Sequence, residues 1–351
     1  MKYKQYPVET IREFTKRVCK AAKIHPSNLF HMVNYYVETS LQGIDSHGLW
    51  LLPRHINDIL RNKINPQPSF KQIMDEGPCL HIDGDNGPGV IVAAYAMNKA
   101  IEHAAKYGIG ITAVRGGNHF GAATYYALLA IKQQMIGIVL SNAAGRHMAH
   151  WGARTPLIAN NPLAIGVPAN KEEPLIIDIA MSTVARAKIL RAAKEGWASI
   201  PSSWALDNYG QPTTDPEVAY KGILRPMGDH KGSGLAVVIG AICGALTGAN
   251  FDHEISIESD EPRNTGHIMI ALNVSQFIEY NDFCQRIDAW INLLNSAEIA
   301  EGFNKIYLPG HCEFYTRKIR LEEGIPVSDE LKIELDKLAE KLKVDKLEPK
   351  S

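Results

Sequence analysis

Long apolar runs are missing from this 351-residue sequence: every one falls well short of the roughly 20 residues a membrane span requires. An excess of basic charge is missing too. Lys and Arg number 37 against 38 Asp and Glu, a formal charge of -1, which argues against nucleic acid or an anionic membrane surface as partner. The opening stretch MKYKQYPVETIREFTKRV is charged and amphipathic, without the apolar core of a signal peptide, and points to a cytoplasmic protein. Cysteine is sparse and odd in number. Cys19, Cys79, Cys243, Cys284 and Cys312 stand singly with no C-x-x-C, a pattern of free thiols rather than a disulfide frame or a zinc site. Nucleotide fingerprints are incomplete: GPGVIV and GIGITA each lack the third glycine of G-x-G-x-x-G, and there is no G-x-x-x-x-G-K-[ST]. No G-x-S-x-G supports a serine hydrolase. The pair His147 and His150 in HMAH has no carboxylate nearby to complete a metal triad, so no metal is expected.

What is present reads as an ordinary globular chain, 45% hydrophobic and 21% charged, long enough for a substantial core. Residues 8–62 are helical in pattern. Ile11, Phe14, Val18 and Ala22 share one helix face, HPSN stops the helix and restarts it with Ser27 as N-cap, and Leu29, Phe30, Val33, Tyr36 and Val37 share the next face. A third helix covers PRHINDILRNKI, with Pro53 in its first turn. From about residue 70 strands and helices alternate: CLHIDGD, GIGITAVRG, MIGIVLSNA, LAIGVPA and PLIIDIAMS as strands, VIVAAYAMNKAIEHAAKYG and AATYYALLAIKQQ as helices. KGSGLAVVIGAICGALTGA is a small-residue helix in which Ala236, Gly240 and Gly244 allow close backbone approach. GHIMIALNV is a strand, helices follow through 276–301, and a last helix opens at Ser328 with the stripe Leu331, Leu335, Leu338 and Leu342. The expected division is a helical segment 1–70, an α/β dinucleotide-binding domain 71–300, and a C-terminal segment 301–351 whose helix returns to the N-terminal part.

Polar residues set in glycine or apolar surroundings mark the candidate site. RGGNHFGAATYYALLA places His119 between glycines, where an imidazole can trade a proton near neutral pH and a ligand can come close. GIDSHG offers Ser46 and His47, and LIANNPL offers Asn160 and Asn161 before a proline. Asp178 ends an apolar strand, and Lys231 opens a helix, a place suited to an anion such as phosphate. Singly, each has a plainer reading as a cap, a turn or a solvated charge.

Together the segments DSHG, GNHFGAATYYALLA, SNAA with WGA, ANNPLAIGVPA, DIAMSTVARAKIL, SIPSSWALDNYGQPTTDP, HKGSGLAVVIGAICGALTGA and YLPG resemble the malate/L-lactate dehydrogenase family of NAD(P)-dependent oxidoreductases, from about residue 5 to about 325. The resemblance implies a three-layer α/β/α fold with a mixed sheet, distinct from a Rossmann domain, with helical segments from both termini. It implies a cytoplasmic homodimer that moves a hydride between NAD or NADP, with NAD slightly preferred, and a small 2-hydroxy or 2-oxo acid. His119 matches the proton-exchanging histidine and His47 a second site histidine, with Ser46 beside it. The dinucleotide would pass Asn142 and Ala143, Asp178, Ile179 and Ala180, Lys231 and Gly232, and Gly310, His311 and Cys312.

Departures from the family pattern fall on the substrate side. The family commonly reads S-H-G-x-x-R-x-x-x-Y, where this chain has Leu51 and His55. The expected replacements for the lost arginine are Arg54 and Arg146, with His55 and Asn161 as further substrate contacts. Reduction of a cyclic imino acid is an alternative use of the same parts, and a non-catalytic binding protein that has kept the fold is another.

Overall fold

The computed structural model describes residues 3–256, 259 and 261–348. Strand β1 (Tyr3–Tyr6) precedes helices α1 (Val8–Ala21), α2 (Leu29–Leu41) and α3 (Leu52–Leu60). A hairpin of β2 (Lys71–Glu76) and β3 (Cys79–Asp83) follows, then α4 (Gly89–Tyr107), β4 (Ile109–Gly117), α5 (Thr124–Ile131), β5 (Met135–Ser141), β6 (Leu163–Val167) and β7 (Leu175–Ile179). Next come α6 (Arg186–Lys194), the short strands β8 (Ala205–Leu206) and β9 (Pro212–Thr213), α7 (Pro216–Lys221), β10 (Ile223–Leu224) and α8 (His230–Ala241). Strand β11 (Thr265–Asn273), α9 (Tyr280–Asn295), α10 (His311–Glu323), β12 (Ile325–Ser328) and α11 (Asp329–Leu342) complete the order.

The main sheet runs β2-β3-β4-β11-β5-β6-β7, with β3 and β4 parallel and every other neighbour pair antiparallel. This mixed sheet with helices on both faces is the architecture expected from the sequence. Alternation along each strand sorts its side chains between two cores. Val114, Val139, Ala164, Met269 and Ala271 join α2, α4 and α5 on one face, whereas Ile111, Ala113, Leu140, Leu163, Ile268 and Ile270 meet α6 and α8 on the other. The termini are tied together: β1 pairs antiparallel with β12, and α11 packs on α1 and α3. Ser328 Oγ accepts from Leu331 N at 3.2 Å, the cap read from the sequence.

Several expectations are corrected. Ser27 does not cap α2; it lies inside a 3₁₀ turn, Pro26–Asn28, whose cap is His25, and its Oγ is 2.7 Å from His25 Nδ1. Phe30 stands 67% exposed instead of joining the buried face; it lies in the first turn of α2, whose buried residues begin at Met32. The third helix stops at Leu60, and the helical region 276–301 resolves into a 3₁₀ turn, Val274–Gln276, and α9. Strand β2 was not legible: its six residues KQIMDE are all exposed at the sheet edge, so they carry no alternation. The stripe Ala236, Gly240 and Gly244 admits side chains where another backbone was expected. A Cβ at Gly240 would lie 3.1 Å from Asn161 Nδ2, and one at Gly244 3.0 Å from the Phe251 ring.

Candidate active site

His119 sits on the loop between β4 and α5, and two glycines fix that loop. A Cβ on Gly89, the first residue of α4, would lie 2.2 Å from Asn118 O and 2.4 Å from His119 O. The glycine of the GPGVIV segment therefore seats the histidine loop on a helix start, which explains a glycine cluster that is no dinucleotide fingerprint. Gly121 takes φ +82°, and a Cβ there would overlap Tyr35 Oη. Tyr35 Oη instead accepts from Ala122 N at 2.7 Å and donates to His47 O at 2.8 Å, bracing the two histidine loops against each other. Ser46 Oγ lies 2.9 Å from His47 Nδ1. From the C-terminal segment, Arg320 on α10 grips Asp45 with both arms, one at 3.0 Å, which anchors the turn before His47.

Three imidazoles converge. The His47 and His119 rings are 6.0 Å apart at 28°, and the His55 and His119 rings 5.4 Å apart at 58°. His55 Nε2 is 3.2 Å from His119 Nδ1, and Tyr36 Oη is 2.7 Å from His55 Nδ1. The Nε2 atom of His119 makes no bond among the described residues and is not sealed from solvent. Burial pushes the His119 pKa well below its ordinary value, and His55, His47, Arg54 and Arg263 push it the same way. Burial with Arg54 and Arg263 takes His55 down to about 3. His47 is lowered by burial and Arg54, against the opposing pull of Asp178. The cluster is thus neutral when empty and surrounded by positive charge.

A family model described as malate/L-lactate dehydrogenase matches residues 6–336. The chain belongs to that family. It is 32% identical to a malate dehydrogenase of Pyrococcus abyssi over 99% of this chain and 97% of that protein. It is 34% identical to an L-sulfolactate dehydrogenase of Methanocaldococcus jannaschii, covering 88% of each. Among solved structures, a malate dehydrogenase of Entamoeba histolytica superposes with a TM-score of 0.92 at 30% identity, over 98% of this chain and 99% of that one.

Against the family's malate/L-lactate dehydrogenase pattern, the remaining expected residues divide clearly. Arg54 is exposed on α3, and its charge acts on all three histidines. Arg146 is exposed, and no bond or ion pair among the described residues ties it, Lys231, His311 or Cys312 to the histidine cluster. Asn161, expected to touch substrate, is fully buried: Oδ1 accepts from Ala143 N at 2.9 Å, and Nδ2 donates to Ala236 O and Asp252 Oδ2. Both its N–H groups are committed, so it positions the Ala143 turn against α8 and is corrected to a scaffold residue. Asn142 is likewise engaged through its side chain, with Gly266 N at 2.9 Å and with Asn250 O. Asp178 Oδ2 accepts from Thr124 N at 2.8 Å and Thr124 Oγ1 at 3.0 Å, which caps α5 from across the sheet end. Gly310 takes φ +87° before α10, and Ile176 N donates to the neighbouring Pro309 O, drawing that turn to β7. His147 of HMAH bonds Arg186 through Nδ1 at 2.7 Å.

Sequence reasoning missed the tyrosine brace and one buried ion pair. Arg263, 7% exposed, donates to Asp58 Oδ2 at 2.7 Å, and its Nη1 is buried without a partner among the described residues. Asp58 lies one turn after Arg54 on α3, so two guanidinium groups face one carboxylate. Nothing local in EPRNTGH announces a buried arginine. The adjacent tyrosines of α2 did carry a signal, since a core tyrosine needs a partner for its hydroxyl.

The neutral histidines have a consequence for stability. His55 is held at about 3, His147 and His267 at about 4, each chiefly by burial, and His119 well below normal. Between pH 6.5 and 4 the unfolded chain binds protons that the native state refuses, so stability rises with pH there and is complete above 6.5. Each such group contributes up to about 1.4 kcal/mol per pH unit. The buried Asp178 and Asp252, both raised by burial, oppose this with two carboxyl groups against six imidazoles, since His31 and His47 are lowered by burial as well. Thermal unfolding should show a flat Tm above pH 6.5 and a steep fall from 6.5 to 4.5; a Tm that rises on acidification over that span contradicts neutral burial.

Proposed function

We propose that this protein catalyses reversible hydride transfer between a nicotinamide dinucleotide and C2 of a small 2-hydroxy or 2-oxo acid. The observation that carries the reading is the unbonded Nε2 of His119, set in a cluster with His47 and flanked by the charge of Arg54. In reduction His119 Nε2 gives its proton to the carbonyl oxygen; in oxidation it takes the hydroxyl proton. His47, oriented by Ser46, hydrogen-bonds the same oxygen or the neighbouring carboxylate. Arg54 pairs the carboxylate in place of the family arginine missing at Leu51; Arg146 has less support, because no bond or ion pair among the described residues ties it to the three imidazoles.

The donor set suits a dinucleotide. Lys231 presents an exposed ammonium, with no ion pair among the described residues, at the start of the 12-residue α8, where helix amides favour an anionic diphosphate. Gly232 beside it admits no Cβ, since Met227 O would lie at 2.2 Å. Ala143, Ile179 and Ala180, and the Gly310–Cys312 turn complete the proposed track. The nicotinamide, when bound, supplies or accepts the hydride; the chain supplies orientation, charge and the proton.

The active species is a homodimer in this reading. Leu235, Val237 and Val238 on α8 are 42%, 46% and 55% exposed, and Leu246 just beyond is 68% exposed, an apolar face suited to a second copy. Five free cysteines suit a reducing cytoplasm. Among the described residues no helix is long and apolar enough to cross a membrane.

Cofactor binding tests the assignment before any substrate is known. NADH or NADPH at 100 times its Kd should stabilise the fold by about 2.7 kcal/mol, read as a rise in Tm with quenching of tryptophan fluorescence. The better of the two reveals the preference. No shift with either would refute the nicotinamide assignment.

A further inference from the structure

The His119 ring has a second nitrogen, and its surroundings are unusual for a proton-exchanging histidine. Nδ1 faces neither a carboxylate nor a carbonyl but another imidazole, His55 Nε2, at 3.2 Å. The far nitrogen of His55 meets Tyr36 Oη at 2.7 Å. Tyr36 is fully buried and His55 4% exposed, and neither has any other hydrogen-bond partner among the described residues. Three elements, α2, α3 and the loop after β4, thus deliver one unbranched chain of donors and acceptors that ends at the open Nε2 of His119.

We propose that His55 is a positioning residue for the reaction: His55 and His119 hold one exchangeable proton between them, and the Tyr36 hydroxyl keeps that exchange on His55 Nε2. This rests on the hydride-transfer reading above. In the protonated pair, His55 carries hydrogen on both nitrogens, its Nδ1–H donated to Tyr36 Oη and its Nε2–H donated to His119 Nδ1, while His119 carries hydrogen on Nε2. When His119 Nε2–H passes to the carbonyl oxygen, the N–H bond at His55 Nε2 breaks and one forms at His119 Nδ1. One proton leaves the pair, one hydride reaches C2 from the nicotinamide, and both rings end neutral with hydrogen on Nδ1. Oxidation is the reverse, and the positive charge then rests on His55, one ring further from the substrate.

In the empty site the charges facing the pair oppose its protonation. Arg54 from α3, Arg263 from the segment before β11, and His47 from the loop after α2 all disfavour the cationic pair, and Asp58 answers only part of that charge. Tyr36 is itself held far above its ordinary pKa by burial, so it keeps its own proton, and in the proposed arrangement its oxygen accepts from His55 Nδ1. An acid group seated at Arg54 offsets the opposing charge and loads the pair as the substrate binds.

Two measurements test this. In the cofactor-free protein, nitrogen NMR of labelled histidine at neutral pH should find both His55 and His119 as Nδ1–H tautomers, assigned by the resonance lost in His55→Gln. A His55 ring protonated on Nε2 alone overturns the proposal without any reference to activity. In single turnovers with a 2-oxo acid, His55→Gln keeps a hydrogen bond to His119 but cannot take up a proton. Its rate should fall by roughly 10-fold or more, less than the about 10²–10⁴ ascribed to the acid–base group itself, with KM and cofactor Kd changed less than about twofold. The solvent proton inventory should change from bowed, for two moving protons, to linear. If His55→Gln does not fold, Tyr36→Phe serves: Nδ1 of His55 loses its acceptor, and the tautomer signal of His55 should become mixed. A slowed variant that keeps the bowed inventory makes His55 structural only and refutes the relay. Wild-type protein that binds nicotinamide but turns over no acid, with the tautomers as stated, refutes the reaction and not the arrangement.

Discussion

Replacing His119 with alanine should lower kcat by about 10²–10⁴, the contribution of a positioned general acid–base group, while leaving cofactor affinity near normal. The loss should appear equally in kcat and kcat/KM, because the proton moves only in the transition state. The loop itself should survive. Its shape is set by Gly89, Gly121 and the Tyr35 brace rather than by the imidazole. His47→Ala separates the two histidines: among the described residues its ring is hydrogen-bonded to the Ser46 hydroxyl alone, so a smaller loss is expected, with part of it in KM. Full activity in His119→Ala would end the assignment, and an equal loss confined to His47→Ala would move the proton there. Steady-state kinetics of the two variants decides it.

Arg54→Ala should weaken kcat/KM for the best acid substrate by about 2–5 kcal/mol, the cost of leaving a desolvated carboxylate unpaired. The sequence left two cations in contention for the role vacated at Leu51. Arg54 is favoured here, since its charge acts on His47, His55 and His119, while Arg146 has no ion pair among the described residues. Arg54→Lys should recover only part of the loss, because an ammonium cannot offer two parallel N–H groups to a carboxylate. Arg146→Ala serves as the comparison and should change kcat/KM by less. Equal, near-normal kcat/KM in both alanine variants would show that neither arginine has replaced the family's, and would direct attention to substrates without that carboxylate.

The helices and the sheet were legible because their signals are periodic. CLHIDGD was legible by its alternation, and GIGITAVRG and GHIMIALNV as short apolar runs; the two cores follow from the strands' alternating faces. What could not be read is where β11 inserts. It pairs with β4, 148 to 163 residues earlier, and with β5, 126 to 138 residues earlier, and no local pattern specifies such a partner. The site was legible as a set of residue types and not as a set of contacts. His119, His47 and His55 were each singled out, but their convergence depends on three separate elements meeting. Asn161 misled because a polar residue in an apolar run looks the same whether it awaits a ligand or, as here, holds Ala143, Ala236 and Asp252 together. Arg263 was invisible because its burial depends on a carboxylate, Asp58, contributed from 205 positions away in the chain.

The central claim is that this chain moves a hydride between nicotinamide and C2 of a small acid. A panel of 2-oxo acids and cyclic imino acids, each offered with NADH and with NADPH and followed by nicotinamide absorbance, tests it most directly. Oxidation of the reduced cofactor by at least one 2-oxo acid, reversed by the matching 2-hydroxy acid and abolished in His119→Ala, is the expected result. Consumption only with cyclic imino acids, or with none of the panel while the cofactor binds, would contradict it.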